Sequence, residues 1–313
     1  MDNSKFYIDQ NTNRGYLTAL TSTLFLATTA IFIRYLTLNF QLPALILSFW
    51  RELFVACFLL IFFLLFKPAL LRGAHPHLPY LTAYGLVLAF FNASWSLSVV
   101  YNGAAVSTVL VYSSAAFTAV LGWLILKESL GLAKIIAVVL SLAGCALVAN
   151  VLDPSLWALN AGGILVGVLA GLAYAVYSLM GRSASERGLN PWTTLFYIFG
   201  IASVFLLITN LVFGRFLPGG ATRPAELFWL GDSFAGWAVL IILAIVPTLF
   251  GYGLYNISLK HLPSSVANLI MTSEPIFTSI IAYFMFGEVL TPVQIIGSVI
   301  ILAGVAVIRL TEK

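Results

Sequence analysis

Charge is what this sequence has least of. Asp, Glu, Lys and Arg make up 8% of its 313 residues, while 61% are hydrophobic. The mean hydropathy is +1.03. A water-soluble fold of this length needs far more polar side chains to cover its surface, so a soluble globular domain is excluded. Cysteine is nearly absent. Cys57 and Cys145 both fall inside apolar runs, which excludes a disulfide framework and a cysteine metal site. Histidine is as scarce: His75, His77 and His261 lie in connecting stretches rather than in a ligand cluster. No G-x-x-x-x-G-K-[ST] occurs, so direct ATP drive from this chain is not expected. Nor is there a basic run, and the net charge of +4 does not point to nucleic acid. No His, Asp or Glu cluster gathers at one end of the apolar segments, so neither an enzyme nor a cofactor is implied. Residues 1–14 are polar and lack the basic start, short apolar core and small-residue cleavage site of a signal peptide. They read as a cytoplasmic tail, and the first apolar segment is expected to stay as a span.

What is present is one apolar window after another, each the roughly 17–25 residues that cross a bilayer as a helix. They lie near 15–35, 44–66, 78–101, 104–126, 132–150, 162–182, 191–213, 236–260, 264–286 and 292–309. Each is expected to be helical, because lipid offers no partner to an unpaired backbone group. Only Gly214–Ala235 has room for a real loop, and its Pro218-Gly219-Gly220 breaker and Phe228-Trp229 pair suggest a segment at the membrane interface. With spans alternating as drawn, Lys5, Arg14, Lys67, Arg72, Lys127, Lys134, Arg182, Arg187, Lys260, Arg309 and Lys313 share one side. The other side has only Arg34, Arg215 and Arg223. This asymmetry predicts cytoplasmic termini in a multi-pass protein of the cell (inner or plasma) membrane.

The chain also repeats itself. At a shift of 160 residues, Phe117-Thr118 meets Phe277-Thr278, Glu128 meets Glu288, Leu130 meets Leu290, and Ile135-Ile136 meets Ile295-Ile296. Leu142-Ala143-Gly144 meets Leu302-Ala303-Gly304. Over about 46 positions there are about a dozen identities, against about four expected by chance at this composition. Gly15 and Arg34 match Gly163 and Arg182 at a different offset. The expected units are therefore 15–150 and 162–309, each of five spans. An odd number of spans places the second unit upside down relative to the first. Inverted repeats enclosing a site at mid-membrane are the architecture of secondary carriers.

Both repeat tails carry a further pattern: Leu126-Lys127-Glu128-Ser129-Leu130…Gly144 and Phe286-Gly287-Glu288-Val289-Leu290…Gly297…Gly304. With Ser273-Glu274-Pro275 and Arg51, it resembles the drug/metabolite transporter superfamily, in particular its ten-span EamA-type carriers. The resemblance runs from Gly15 to Arg309. It implies an all-α integral membrane fold of ten helices in two inverted repeats, and a transporter, more often of the exporting kind. The first-half counterpart, Ser113-Ser114-Ala115, lacks the Glu and the Pro, so the halves are not equivalent.

Glu274 sits near the centre of the ninth window, where an acidic group costs about 2.5–3.5 kcal/mol to insert. It is the first candidate for substrate binding and for proton coupling. Pro275 lacks an N–H and leaves the Met271 carbonyl free, predicting a polar kink there. Glu52 is a second coupling candidate. Arg51 beside it is read as structural, because neighbours on a helix diverge by about 100° and each is expected to bond a different helix. Glu128 and Glu288 are expected to cap the helix after each. Asn92, Trp95, Tyr112, Tyr174, Tyr177, Tyr252, Asn256 and Asn268 complete the candidate binding set, since polar and aromatic groups at one depth suit an amphipathic ligand. Gly163, Gly167 and Gly171, four apart, predict a close-packing face, and Pro247 a bend. The combined expectation is an alternating-access exporter of a small amphipathic or aromatic metabolite such as an amino acid. The alternative is a proton-coupled multidrug or organic-cation exporter, with a membrane-embedded enzyme the least favoured reading. The partners expected are a small-molecule substrate, lipid and protons; a monomer suffices in principle.

Overall fold

The computed structural model describes residues 3–72, 75–148, 161–286 and 291–311, and among these every regular element is helical. The first half comprises α1 (Asn3–Ala27), α2 (Thr29–Phe40), α3 (Ala44–Phe66), the single turn α4 (Ala69–Arg72), α5 (Leu78–Tyr112), α6 (Ser114–Leu126) and α7 (Leu132–Val148). The second comprises α8 (Ala161–Glu186), α9 (Pro191–Ile208), α10 (Phe234–Leu243), α11 (Gly251–Ser258), α12 (Ser264–Met271), α13 (Glu274–Phe286) and α14 (Pro292–Thr311). Helical stretches long and apolar enough to cross a membrane include Ala44–Phe66, Gly162–Glu186, Pro191–Phe216 and Phe234–Ser258. The last of these joins α10 to α11 through a wide turn at Ala244–Phe250.

Several spans depart from plain rods, each for a local reason. The first begins at Asn3, well inside the expected tail, and breaks at Thr28, whose hydroxyl donates to the Phe25 carbonyl at 2.7 Å. α5 runs through both the third window and the start of the fourth. Its Ser98 hydroxyl bonds the Ser107 hydroxyl at 2.9 Å. Nine residues along a straight helix cover about 13.5 Å, so α5 must fold back between them. At Pro247 the ladder widens instead of kinking. The Leu243 carbonyl freed by the proline accepts the Thr248 hydroxyl at 2.8 Å. The kink expected at Pro275 is a full interruption: α12 stops at Met271 and α13 starts at Glu274.

Packing follows the repeat. α3 lies on α9 and α7 on α14, each a span against its own counterpart. α8 lies on α5 and α6, while α1 lies on α11 and α12, the same relation with the halves exchanged. Such reciprocal pairing is the mark of a two-fold relation. The glycines of α8 lie against the end of α5 and the break after it. A Cβ at Gly167 would stand 2.5 Å from Leu110 Cδ1, and one at Gly171 would stand 2.4 Å from Ser113 Oγ. Gly163 is buried two turns away from Gly171 on the same face.

The two ends of the bundle differ. At one, α1 meets the turn before α12 where Gly15 abuts Leu262, and Arg182 donates to the carbonyls of Leu259 and Leu262 at 2.9 and 3.3 Å. At the other end, the 214–233 loop covers the first half. Trp229 Nε1 donates to the Phe40 carbonyl at 3.0 Å, Trp50 Nε1 to Leu227 at 2.6 Å, and the Leu45 N–H to Gly219 at 2.9 Å. Gly219 holds a left-handed φ of 73° there. In the same loop the Thr222 hydroxyl and N–H bond Glu226 and hold its carboxyl below the usual carboxylate range.

Candidate functional site

Ten consecutive residues, Ser264 to Ser273, are buried; Glu274 is not. It opens α13 just after the break in the ninth span. There the Thr272 and Ser273 N–H groups bond back to Leu269 and Ile270 in a tight turn. No cation pairs with Glu274 among the described residues. The Tyr112 hydroxyl approaches its carboxyl group, and Tyr174, Tyr252 and Cys145 lie within electrostatic reach. The neighbouring Ser273 hydroxyl is fully buried and has no hydrogen-bond partner.

A second polar centre sits on α3 and α5. Arg51 Nη2 donates to Asn92 Oδ1 at 2.6 Å and to Glu52 Oε1 at 3.2 Å, while Asn92 Nδ2 donates to Glu52 Oε1 at 2.6 Å. This corrects the expectation that Arg51 and Glu52 reach different helices. Their long side chains close the 100° gap, and Asn92 from α5 bridges both. Arg51 Nε and Glu52 Oε2 remain buried without partners. Tyr252 lies within electrostatic reach of Arg51, Glu52 and Glu274.

The remaining candidates divide into two groups. Tyr174 stacks on Phe91 with centroids 5.0 Å apart, and Tyr252 meets Tyr177 edge-on at 5.6 Å. Asn256 Nδ2 donates to the Tyr177 hydroxyl at 2.8 Å, and its Oδ1 accepts Tyr84 at 3.3 Å. Asn268 accepts from Ser114 at 3.0 Å and donates to Ser178 at 3.1 Å. Asn256 and Asn268 thus bind helices to one another. Trp95 borders open space. It lines, with Ser96, Ile33, Thr37, Gln41 and Gly219, a cavity of about 400 Å³ at the loop-covered end.

Sequence reasoning missed Tyr84, Phe91 and Ser178. The signal for Tyr84 was present: Tyr84, Leu88, Asn92 and Ser96 recur every four residues and all are buried. Glu128 does cap a helix, but not the next one. It caps α12, 136 residues on, because the left-handed turn at Lys127 aims it across the bundle. Glu288 lies outside the described residues.

The EamA-like transporter family model matches residues 13–150 and again 161–310. An uncharacterized transporter of Archaeoglobus fulgidus is 32% identical over 145 residues, 46% of this chain and 47% of that one, so the chain spans about half of that relative. The threonine/homoserine exporter RhtA of Salmonella typhimurium is 29% identical over 251 residues, 78% of this chain and 76% of that protein. A solved crystal structure of a protein shares the fold, with a TM-score of 0.74 over 95% of this chain and 96% of that one at 14% identity.

Proposed function

The chain belongs to the EamA-like transporter family, and we propose that it is a secondary exporter of a small amphipathic or aromatic metabolite, such as an amino acid. The repeats, taken as 15–150 and 162–309, alternate access to a chamber between them from a multi-pass position in the cell membrane, with both termini cytoplasmic. Glu274 carries this reading: a half-buried carboxylate with no cation beside it among the described residues and tyrosines around it, at a break in a membrane helix. An ammonium group satisfies that carboxylate, and the Tyr112, Tyr174 and Tyr252 rings receive an apolar or aromatic body. Glu52, already held by Asn92 and Arg51, is the second carboxylate through which a proton is exchanged. The cavity beside Trp95 is the open end of the route. The exporter name of the Salmonella relative supports the amino-acid class and the direction.

An unpaired carboxylate among aromatic rings also suits an organic cation, which keeps a proton-coupled multidrug exporter as the second reading. Purified protein in liposomes, challenged with neutral amino acids and with organic cations, separates the two. Amino-acid flux that unlabelled competitors saturate supports the first reading. Flux of cations alone supports the second, and no flux of any compound rejects both.

A further inference from the structure

At the end of the bundle opposite the cavity, one carboxylate ties the first half to the second. Glu128, carried past the end of α6 by the left-handed turn at Lys127, enters the first turn of α12 in the other half. Its Oε1 accepts the Ser264 N–H at 2.7 Å and the Ser264 hydroxyl at 2.6 Å. Its Oε2 accepts the Ser265 N–H at 3.2 Å and a short bond from the Ser265 hydroxyl. Lys134, 5% exposed, donates to that same hydroxyl oxygen at 2.9 Å. Gly122 makes room, since a Cβ there would stand 2.9 Å from Glu128 Oε2. A helix N-terminus presents unsatisfied N–H groups and a positive dipole end, and a carboxylate answers both.

The internal repeat supplies the comparison. Shifted by 160, Glu128 corresponds to Glu288, but Ser264 and Ser265 correspond to Ala104 and Ala105, Lys134 to Gln294, and Gly122 to Ala282. In an inverted repeat, the contact that closes one end in one state has its counterpart at the other end in the opposite state. By sequence, the matching positions keep the carboxylate and lack both hydroxyls, the lysine and the glycine.

We propose that Glu128 and the first turn of α12 form a latch closing the end that carries the termini. The proposal rests on the carrier reading above. Hydrogen bonds to a charged acceptor are the strong ones, so the two hydroxyls set the bias between the states.

The test uses the full chain with Cys57→Ser and Cys145→Ser and a reporter, Ala115→Cys. Ala115 is fully buried on α6, two turns from Gly122 on the same face, and becomes reactive when the α6–α12 seam opens. Ser264→Ala with Ser265→Ala keeps both backbone N–H caps and the fold, and raises maleimide labelling of the reporter about tenfold, equivalent to about 1.4 kcal/mol. Unchanged labelling in the serine-to-alanine pair overturns the latch. Labelling needs no substrate, so a liposome flux of zero with tenfold faster labelling rejects the carrier reading and keeps the latch.

Discussion

The fourth and ninth spans are the same piece of chain twice, and both break at the matching serine, Ser113 and Ser273. The side chains around the two breaks are treated differently. In the fourth span the described serine and threonine hydroxyls beside the break have partners. The Ser113 hydroxyl bonds the Leu110 carbonyl at 2.5 Å, Ser114 bonds Asn268 at 3.0 Å and Thr118 bonds the Ser114 carbonyl at 2.7 Å. In the ninth, Ser273 has no partner and Glu274 has no cation among the described residues. One backbone device is therefore sealed in the first half and left open in the second. Duplication supplies the break, and the side chains after it decide whether the break is packing or chemistry. The two carboxylates repeat the contrast, since Glu52 is paired with a cation and Glu274, among the described residues, is not.

The largest expected effect tests the held carboxylate. Arg51→Ala strands Glu52 and removes a partner of Asn92, and breaking a buried pair from one side costs about 3–5 kcal/mol. The thermal unfolding midpoint should fall steeply, and folded yield with it. Glu274→Gln should do the reverse. It leaves the midpoint within experimental scatter, because no ion pair is broken and the glutamine keeps an oxygen for the Tyr112 hydroxyl, but lowers liposome flux about 100-fold, equivalent to about 2.7 kcal/mol of lost binding and coupling. A Glu274→Gln protein that transports normally at every pH would make Glu274 no different from Glu52 and remove the contrast.

The sequence disclosed the spans and the repeat because both rest on long-range composition and on register. Apolar windows leave the backbone no alternative to helix, and matching at 160 residues needs no structure. Partners were less visible. Glu128 before Leu reads as a local cap, since nothing in Lys127 announces the left-handed turn that sends it to Ser264. Arg51 and Glu52 read as divergent because helical angle is a property of Cβ positions, whereas their long stems bring the charged heads together. Asn256 and Asn268 read as ligand donors because polarity at mid-membrane depth suits a cavity and a helix contact equally. Only the positions of Tyr177, Ser178 and Ser114 decide between these.

Two smaller substitutions sharpen the comparison of the breaks themselves. Ser114→Ala takes the donor from Asn268 Oδ1 and leaves a buried amide oxygen unsatisfied, which costs about 1–3 kcal/mol. Its register-mate is Glu274, so the partner for the comparison is the serine at the other break. Ser273→Ala removes a hydroxyl that bonds nothing, and deleting an unpartnered buried polar group is neutral or stabilising, by less than about 1 kcal/mol. Thermal midpoints of the two variants, measured side by side in one detergent, should therefore separate, with Ser114→Ala lower and Ser273→Ala at or above the parent. Equal losses would mean that the ninth-span hydroxyl has a bonding role matching that of Ser114. The second break would then be as sealed as the first, and Glu274 would owe its exposure to something other than an open break.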